Sequence, residues 1–134
     1  MAKYLVDTDW AVFYLRGKEP YVSTLRKLRQ EGLAISVISV GELYEGVFRA
    51  EDPQAREEGL GLLLDGVEIT EVTKSIARTF GRLRADLRKQ GLTVADLDLL
   101  IGSTAICYDL LLLTNNRRHY ERIPHVKIAH SLCS

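Results

Sequence analysis

Very short apolar runs alternate along this chain with longer amphipathic segments, and that pattern limits the folds open to it. Tyr4–Val6, Ala34–Val37, Val67–Ile69, Leu110–Leu113 and Val126–Ala129 read as strands. Trp10–Leu15, Tyr21–Gln30, Gly41–Ala50, Gln54–Leu64, Thr73–Lys89 and Leu97–Tyr108 read as helices. A strand that is apolar at consecutive positions, rather than at alternate ones, is one covered on both faces. Strands of that kind separated by helices predict an α/β fold of three layers, α/β/α, around a parallel sheet. Pro20 and Pro53 suit first helical turns, and Gly32, Gly66 and Gly91 stand where helix C-terminal caps belong. No repeat, low-complexity tract or long linker divides the 134 residues, so a single domain over 1–134 is expected.

Charge narrows the function. Eighteen basic and eighteen acidic side chains cancel, which excludes a protein that coats nucleic acid through bulk charge. The balance hides an asymmetry. Residues 1–67 hold eight basic and eleven acidic side chains, and residues 68–134 hold ten and seven. Part of the basic excess lies on the fifth helix. There Ile76, Phe80, Leu83 and Leu87 make an apolar face, while Lys74, Arg78, Arg82 and Lys89 project oppositely, flanked by Arg84 and Arg88. This is either a solvated helix surface or a strip that follows a phosphate-bearing substrate, with Lys74, Arg78 and Arg82 as the candidate contacts. Cys107 and Cys133 have neither a disulfide nor a zinc spacing, and no secretory leader or apolar span is visible. A soluble, reduced, cytoplasmic protein without membrane contact is expected.

The acids carry the chemistry. Asp7 follows the first strand, Glu42 lies just past the second, Asp98 opens the sixth helix, and Asn116 follows the fourth strand. In a parallel sheet every strand-to-helix junction lies at the strands' C-terminal edge, and a helix leading into a strand starts there too. All four residues therefore share one rim, where open α/β sheets bind ligands. Gathered carboxylates raise one another's pKa unless a cation lies among them. Oxygen donors without histidine or cysteine suit Mg²⁺ or Mn²⁺, and such an ion activates water for attack on a phosphodiester. Structural roles compete with this reading. Ser39-Val40-Gly41-Glu42 fits a capping box, Thr93-Val94-Ala95-Asp96 fits its looser form, and Asp9 suits the positive end of the first helix.

At these residues the sequence resembles the PIN-domain family, and within it the VapC-like toxins of toxin–antitoxin pairs. YLVDTDWAVFYLRG is similar to the family's opening strand, acid and helix, and ISVISVGELYEGVFRA to the block carrying the second acid. GLTVADLDLLIGSTAICYDLLLLTNNRRHYERI is similar to the closing block. The resemblance implies a parallel sheet of order 3-2-1-4-5 and a metal-dependent endoribonuclease. It assigns Asp7, Glu42, Asp98 and Asn116 to the catalytic site, with Asp7, Asp98 and Glu42 as ligands of Mg²⁺ or Mn²⁺. Thr8 and Thr114 become supporting hydroxyls; Asp96, two residues before Asp98, is an extra acid that offsets the one lacking after Asn116. It further implies a homodimer, an RNA substrate, and a small antitoxin that covers the active-site groove and supplies contact with DNA.

The chain departs from the pattern at His119-Tyr120, where many relatives carry an acidic-aromatic pair, and at Gly102, where alanine is usual. His119, His125 and His130 lack helical spacing and read as surface residues, with His119 the one near the site. Two other functions fit parts of the sequence. Asp7-Thr8-Asp9 resembles the D-x-D motif of haloacid-dehalogenase-like phosphatases, although Ala11 stands where their threonine belongs and Glu42 and Asp98 would have no role. A PIN fold that holds RNA or an antitoxin without cutting is the other alternative.

Overall fold

In the computed structural model, which describes residues 1–129, five short strands form one parallel sheet. They are β1 (Tyr4–Val6), β2 (Leu33–Ser36), β3 (Glu68–Thr70), β4 (Leu111–Leu113) and β5 (Lys127–Ile128), in the order β3-β2-β1-β4-β5. Tyr4 pairs with Leu33 and Leu111, and Val6 with Ile35 and Leu113. Alternate side chains of a strand face opposite ways, and in the central strands β1, β2 and β4 both faces are covered. Tyr4, Val6, Leu33, Ile35 and Leu113 join one core cluster, while Leu5, Ala34 and Leu112 join the other. This is why the strands read as unbroken apolar runs.

The first face is covered by α1 (Thr8–Leu15), α2 (Tyr21–Leu28) with a following 3₁₀ turn (Arg29–Glu31), α3 (Val37–Arg49) and α4 (Pro53–Leu64). The second is covered by α5 (Lys74–Lys89), α6 (Asp96–Cys107) and the short α7 (Arg117–Tyr120). Right-handed crossovers put helices on one face while the chain steps from β1 to β3, and on the other once it returns to β4. The order reverses at β1, whose neighbours are β2 and β4. Among the described residues no helix is long and apolar enough to cross a membrane.

Most predicted elements lie within a residue or two of those observed; two starts differ for a local reason. The third helix begins at Val37 rather than Gly41, because Ser36 caps it with its hydroxyl on Ile38 N (3.1 Å). Val37 reads from sequence as the end of the second strand, and Ile38–Val40 fall outside both predicted elements. Ser39 therefore lies inside the helix, and the capping box assigned to Ser39 and Glu42 does not form. The sixth helix begins at Asp96 behind Ala95, which offers no side-chain cap. Asp96 instead pairs with Arg84 Nε at 3.1 Å. α7 was not anticipated, and His130 and Cys133 lie outside the described residues.

On α5, Ile76, Leu83 and Leu87 are buried and Lys74, Arg78 and Arg82 are exposed, as the periodicity predicts. α5 runs antiparallel to α6. Thr79 and the Ser75 carbonyl meet Cys107 at one end, and Arg84 meets Asp96 at the other. The Arg82–Arg84 stretch is thus nearer the start of α6, where Asp98 lies, than Lys74 is.

Gly32, the turn into β2, has φ +97° and its carbonyl accepts from Lys3 N (2.9 Å) and Tyr4 N (3.2 Å), so it seats β1. A Cβ there would stand 2.8 Å from the Met1 carbonyl oxygen and 2.9 Å from Ala2 Cα. Both the positive φ and the backbone collision disfavour a side chain. Gly32→Ala is expected to lower stability by about 2 kcal/mol, read as a lower urea midpoint at unchanged m value. An unchanged midpoint would show that the turn relaxes freely.

Candidate active site

The site is built where β1 and β4 end side by side. Asp7 leaves β1 with its amide donating to Leu113 O (3.0 Å) and becomes the N-cap of α1, its Oδ1 accepting from Thr8 N at 2.8 Å. The hydroxyl of Thr114, the residue after β4, donates to Asp7 Oδ2 at 2.7 Å. Thr114 Oγ1 in turn accepts from Asn116 N at 2.9 Å. From the second face of the sheet the wholly buried Tyr120 sends its hydroxyl to Asp7 Oδ1 at 3.2 Å, with Asp98 Oδ1 3.5 Å away. One phenol therefore bridges the two predicted metal-binding carboxylates. Behind it, Gly102 lets Ile123 pack closely: a Cβ there would stand 3.1 Å from Ile123 and in ordinary contact, 3.7 Å, with the Tyr120 ring.

A cleft of about 360 Å³ opens on this rim, lined by Asp7, Thr8, Asp9, Phe13, Glu42, Asp98, Asn115 and Asn116. The four residues assigned to catalysis from sequence are thus brought together. Glu42, in the second turn of α3, takes the Thr8 hydroxyl at 2.7 Å, and Ser39 Oγ lies 2.9 Å from the same hydroxyl. Asn116, which caps α7, reaches Asp98 Oδ2 at 3.5 Å and His119 Nδ1 at 2.8 Å. A larger groove of about 820 Å³ between α1, α3 and α4 adjoins the cleft through Glu42. Asp96 is turned away toward Arg84 and does not line the cleft.

Four participants escaped the sequence reading. Asp9, read as a dipole-stabilising acid, also lines the cleft and accepts from Asn115 N at 2.9 Å. Asn115 accepts from Trp10 Nε1 at 3.1 Å and donates to the Tyr21 hydroxyl, tying α1, α2 and the β4 loop together. Ser39 and Tyr120 complete the set. Asp9 had a usable signal, since an acid two residues past a cap at the rim shares that rim. Tyr120 had little, because its role depends on a short helix folding back beneath β1 and β4.

Little of the charge at the cleft is paired. Among the described residues no lysine or arginine pairs with Asp7, Asp9 or Glu42, and His119 alone pairs with Asp98. Burial, and then the neighbouring Asp9, push the Asp7 carboxyl up to about 6, against the opposing bonds from Thr114 and Thr8. Burial also raises Asp9, and raises the Tyr120 phenol, which stays a donor. The hydrogen bonds to Asp7 are worth about 1.5–3 kcal/mol each when the acceptor is charged. Desolvating a carboxylate costs several kcal/mol, and here it prevails.

The donor set, carboxylates with an amide oxygen and hydroxyls, fits a hard cation such as Mg²⁺ or Mn²⁺. Among the described residues no three His, Cys, Asp or Glu side chains close on one point. The expected set of Asp7, Asp98 and Glu42 therefore does not converge as three ligands on one point.

Relatives of known function share this architecture. The chain is 31% identical over 125 residues to the ribonuclease VapC2 of Rickettsia felis, covering 92% of this chain and 93% of that one. It is 36% identical over 125 residues to the ribonuclease VapC19 of Mycobacterium tuberculosis, covering 92% and 96%. The DNA-bound VapBC structure from Salmonella typhimurium superposes with a TM-score of 0.90 at 27% identity, covering 96% and 98%. The match to the PIN domain runs over residues 4–126, taking in every residue of the cleft, and the chain belongs to the PIN-domain family, in its VapC-like branch.

Proposed function

We propose that this chain is a metal-dependent endoribonuclease, the toxin of a toxin–antitoxin pair, that cleaves RNA phosphodiester bonds by attack of water. The observation that carries the reading is the uncompensated acidic cleft around the buried Asp7. Its VapC relatives are ribonucleases, and family membership decides against the phosphatase alternative. Bound Mg²⁺ or Mn²⁺ would polarise a phosphoryl oxygen and lower the pKa of its water. Asp7 and Asp98 would hold the ion, with Glu42 beside them. Thr114 and Tyr120 hold Asp7 in place by donating to its two oxygens, and Thr8 orients Glu42. Glu42, on the open side of the cleft, is free to accept a proton from the attacking water. Asn116 spans Asp98 and His119 and fixes the far wall.

RNA follows the exposed basic face of α5, from Arg82 toward Arg78 and Lys74. An inhibitory antitoxin tail lies over the acidic cleft and its adjoining groove, leaving DNA contact to the antitoxin, and the toxin works as a homodimer in the cytoplasm.

Asp7→Asn and Asp98→Asn should each lower Mn²⁺-dependent cleavage of total cellular RNA by at least about 100-fold while retaining the wild-type circular dichroism. Cleavage at the wild-type rate by either folded variant would rule out the assignment. Wild-type protein inert on many RNAs with both ions would favour the non-cutting PIN module.

Replacing Arg78 and Arg82 together with alanine should weaken RNA binding and flatten the log–log salt slope by about 1.4, two single-strand phosphates' worth. An unchanged slope would place the RNA elsewhere.

Asp7 also sets a pH dependence. Its folded carboxyl lies at about 6, above the usual 3.8, so its contribution to stability is complete below pH 3.8 and is lost as the pH rises through 6. In chelator, Asp7→Asn should gain on wild type by on the order of 2–3 kcal/mol between pH 4 and pH 7. Mn²⁺ should then restore wild type but not the variant. A difference in unfolding free energy that stays flat with pH would mean that Asp7 ionises without penalty.

A further inference from the structure

We infer that Ser39 is a positioning residue for catalysis: its buried hydroxyl holds Thr8 as a hydrogen-bond donor and so fixes the Glu42 carboxylate at the cleft. The inference rests on the nuclease reading above, in which Glu42 accepts a proton from the attacking water. Ser39 is the third residue of α3 and is wholly buried. A hydroxyl inside a helix commonly bonds the carbonyl four residues back, as Ser103 does to Leu99 O at 2.7 Å and Thr104 to Leu100 O at 2.8 Å. Ser39 does not. The carbonyl four back, Ile35 O, lies in β2 and accepts from the Thr70 hydroxyl at 3.4 Å. The Ser39 hydroxyl crosses to α1 instead, and among the described residues its one partner is Thr8 Oγ1 at 2.9 Å.

Counting protons gives these bonds a direction. Ser39 Oγ, Thr8 Oγ1 and Glu42 Oε1, the last 2.7 Å from Thr8, share two hydroxyl protons. An ionised carboxylate only accepts. Were Thr8 to donate to Ser39, the Ser39 proton would be buried without an acceptor and Glu42 would face a lone pair. Leaving a buried donor unmatched is costly. Ser39 therefore donates to Thr8, and the single Thr8 proton goes to Glu42. Each bond in such a chain polarises the next. The direction bears on the chemistry because Glu42 is a long side chain in an exposed position, with several rotamers open to it. The chain pins Oε1 and leaves Oε2 as the oxygen open to water in the cleft. The alternative role for Ser39 is a tie between α1 and α3, which would affect folding alone.

The test compares full-length wild type, Ser39→Ala, Glu42→Gln and the double variant in Mn²⁺-dependent cleavage of a random-sequence RNA oligomer at saturation. RNA affinity and urea unfolding are measured alongside, and Ser39→Ala is crystallised. Glu42→Gln should lower kcat at least about 100-fold and Ser39→Ala about tenfold, with RNA affinity changed less than about twofold. The double variant should be no slower than Glu42→Gln, because Ser39 acts through that carboxylate. In crystals of Ser39→Ala the Glu42 carboxylate should have left Thr8. If Glu42→Gln is slow but Ser39→Ala turns over as wild type does, or if the two losses multiply in the double variant, the role of Ser39 is overturned and the nuclease reading stands. If wild-type protein does not cut, or Glu42→Gln cuts as fast as wild type, the nuclease reading or the role of Glu42 fails and this inference with it.

Discussion

The bonds to the Asp7 carboxylate tie the sheet to the chemistry. Its backbone amide is held by β4, one side-chain oxygen by Thr114, and the other by the start of α1 and by Tyr120. These contacts come from both sides of the sheet's topological reversal. A buried carboxylate is a poor contributor to stability unless paired, and its partners here are neutral donors that leave its charge unbalanced. The arrangement stabilises the position of the acid more than its ionised state. A cation would complete it.

Packing and chemistry thus draw on the same residues. The register that places Val6 beside Ile35 and Leu113 also brings Asp7 and Thr114 to one level at the strand ends. The absence of a side chain at Gly102 lets Ile123 pack closely on α6, where a Cβ would stand 3.1 Å from it. The basic strip of α5 stands on the same side of the sheet as α6 and α7.

The sheet order and the rim were legible because they follow from rules with few exceptions: short apolar runs for doubly covered strands, and a shared edge for every β-to-α junction. Asp7, Glu42, Asp98 and Asn116 could be placed together from those rules and the family resemblance. Ser36 was not recognised as a cap because two β-branched residues after it favour strand locally, and tertiary packing overrides that preference. Tyr120 and Asn115 could not be found by spacing, since their bonds join residues 113 and 94 apart in sequence. Asp9 was visible, at the helix end and in the phosphatase-like Asp7-Thr8-Asp9, but was not assigned to this cleft, when the same carboxylate serves both the helix end and the cleft.

The account stands on a divalent cation at the buried end of β1. Anomalous diffraction from crystals soaked in Mn²⁺ tests this most directly. A peak in the cleft within coordination distance of Asp7 and Asp98, about 2.0–2.4 Å from their oxygens, is the predicted result. A crystal of RNA-cleaving protein in which Mn²⁺ binds elsewhere, and the cleft shows no peak, would contradict it.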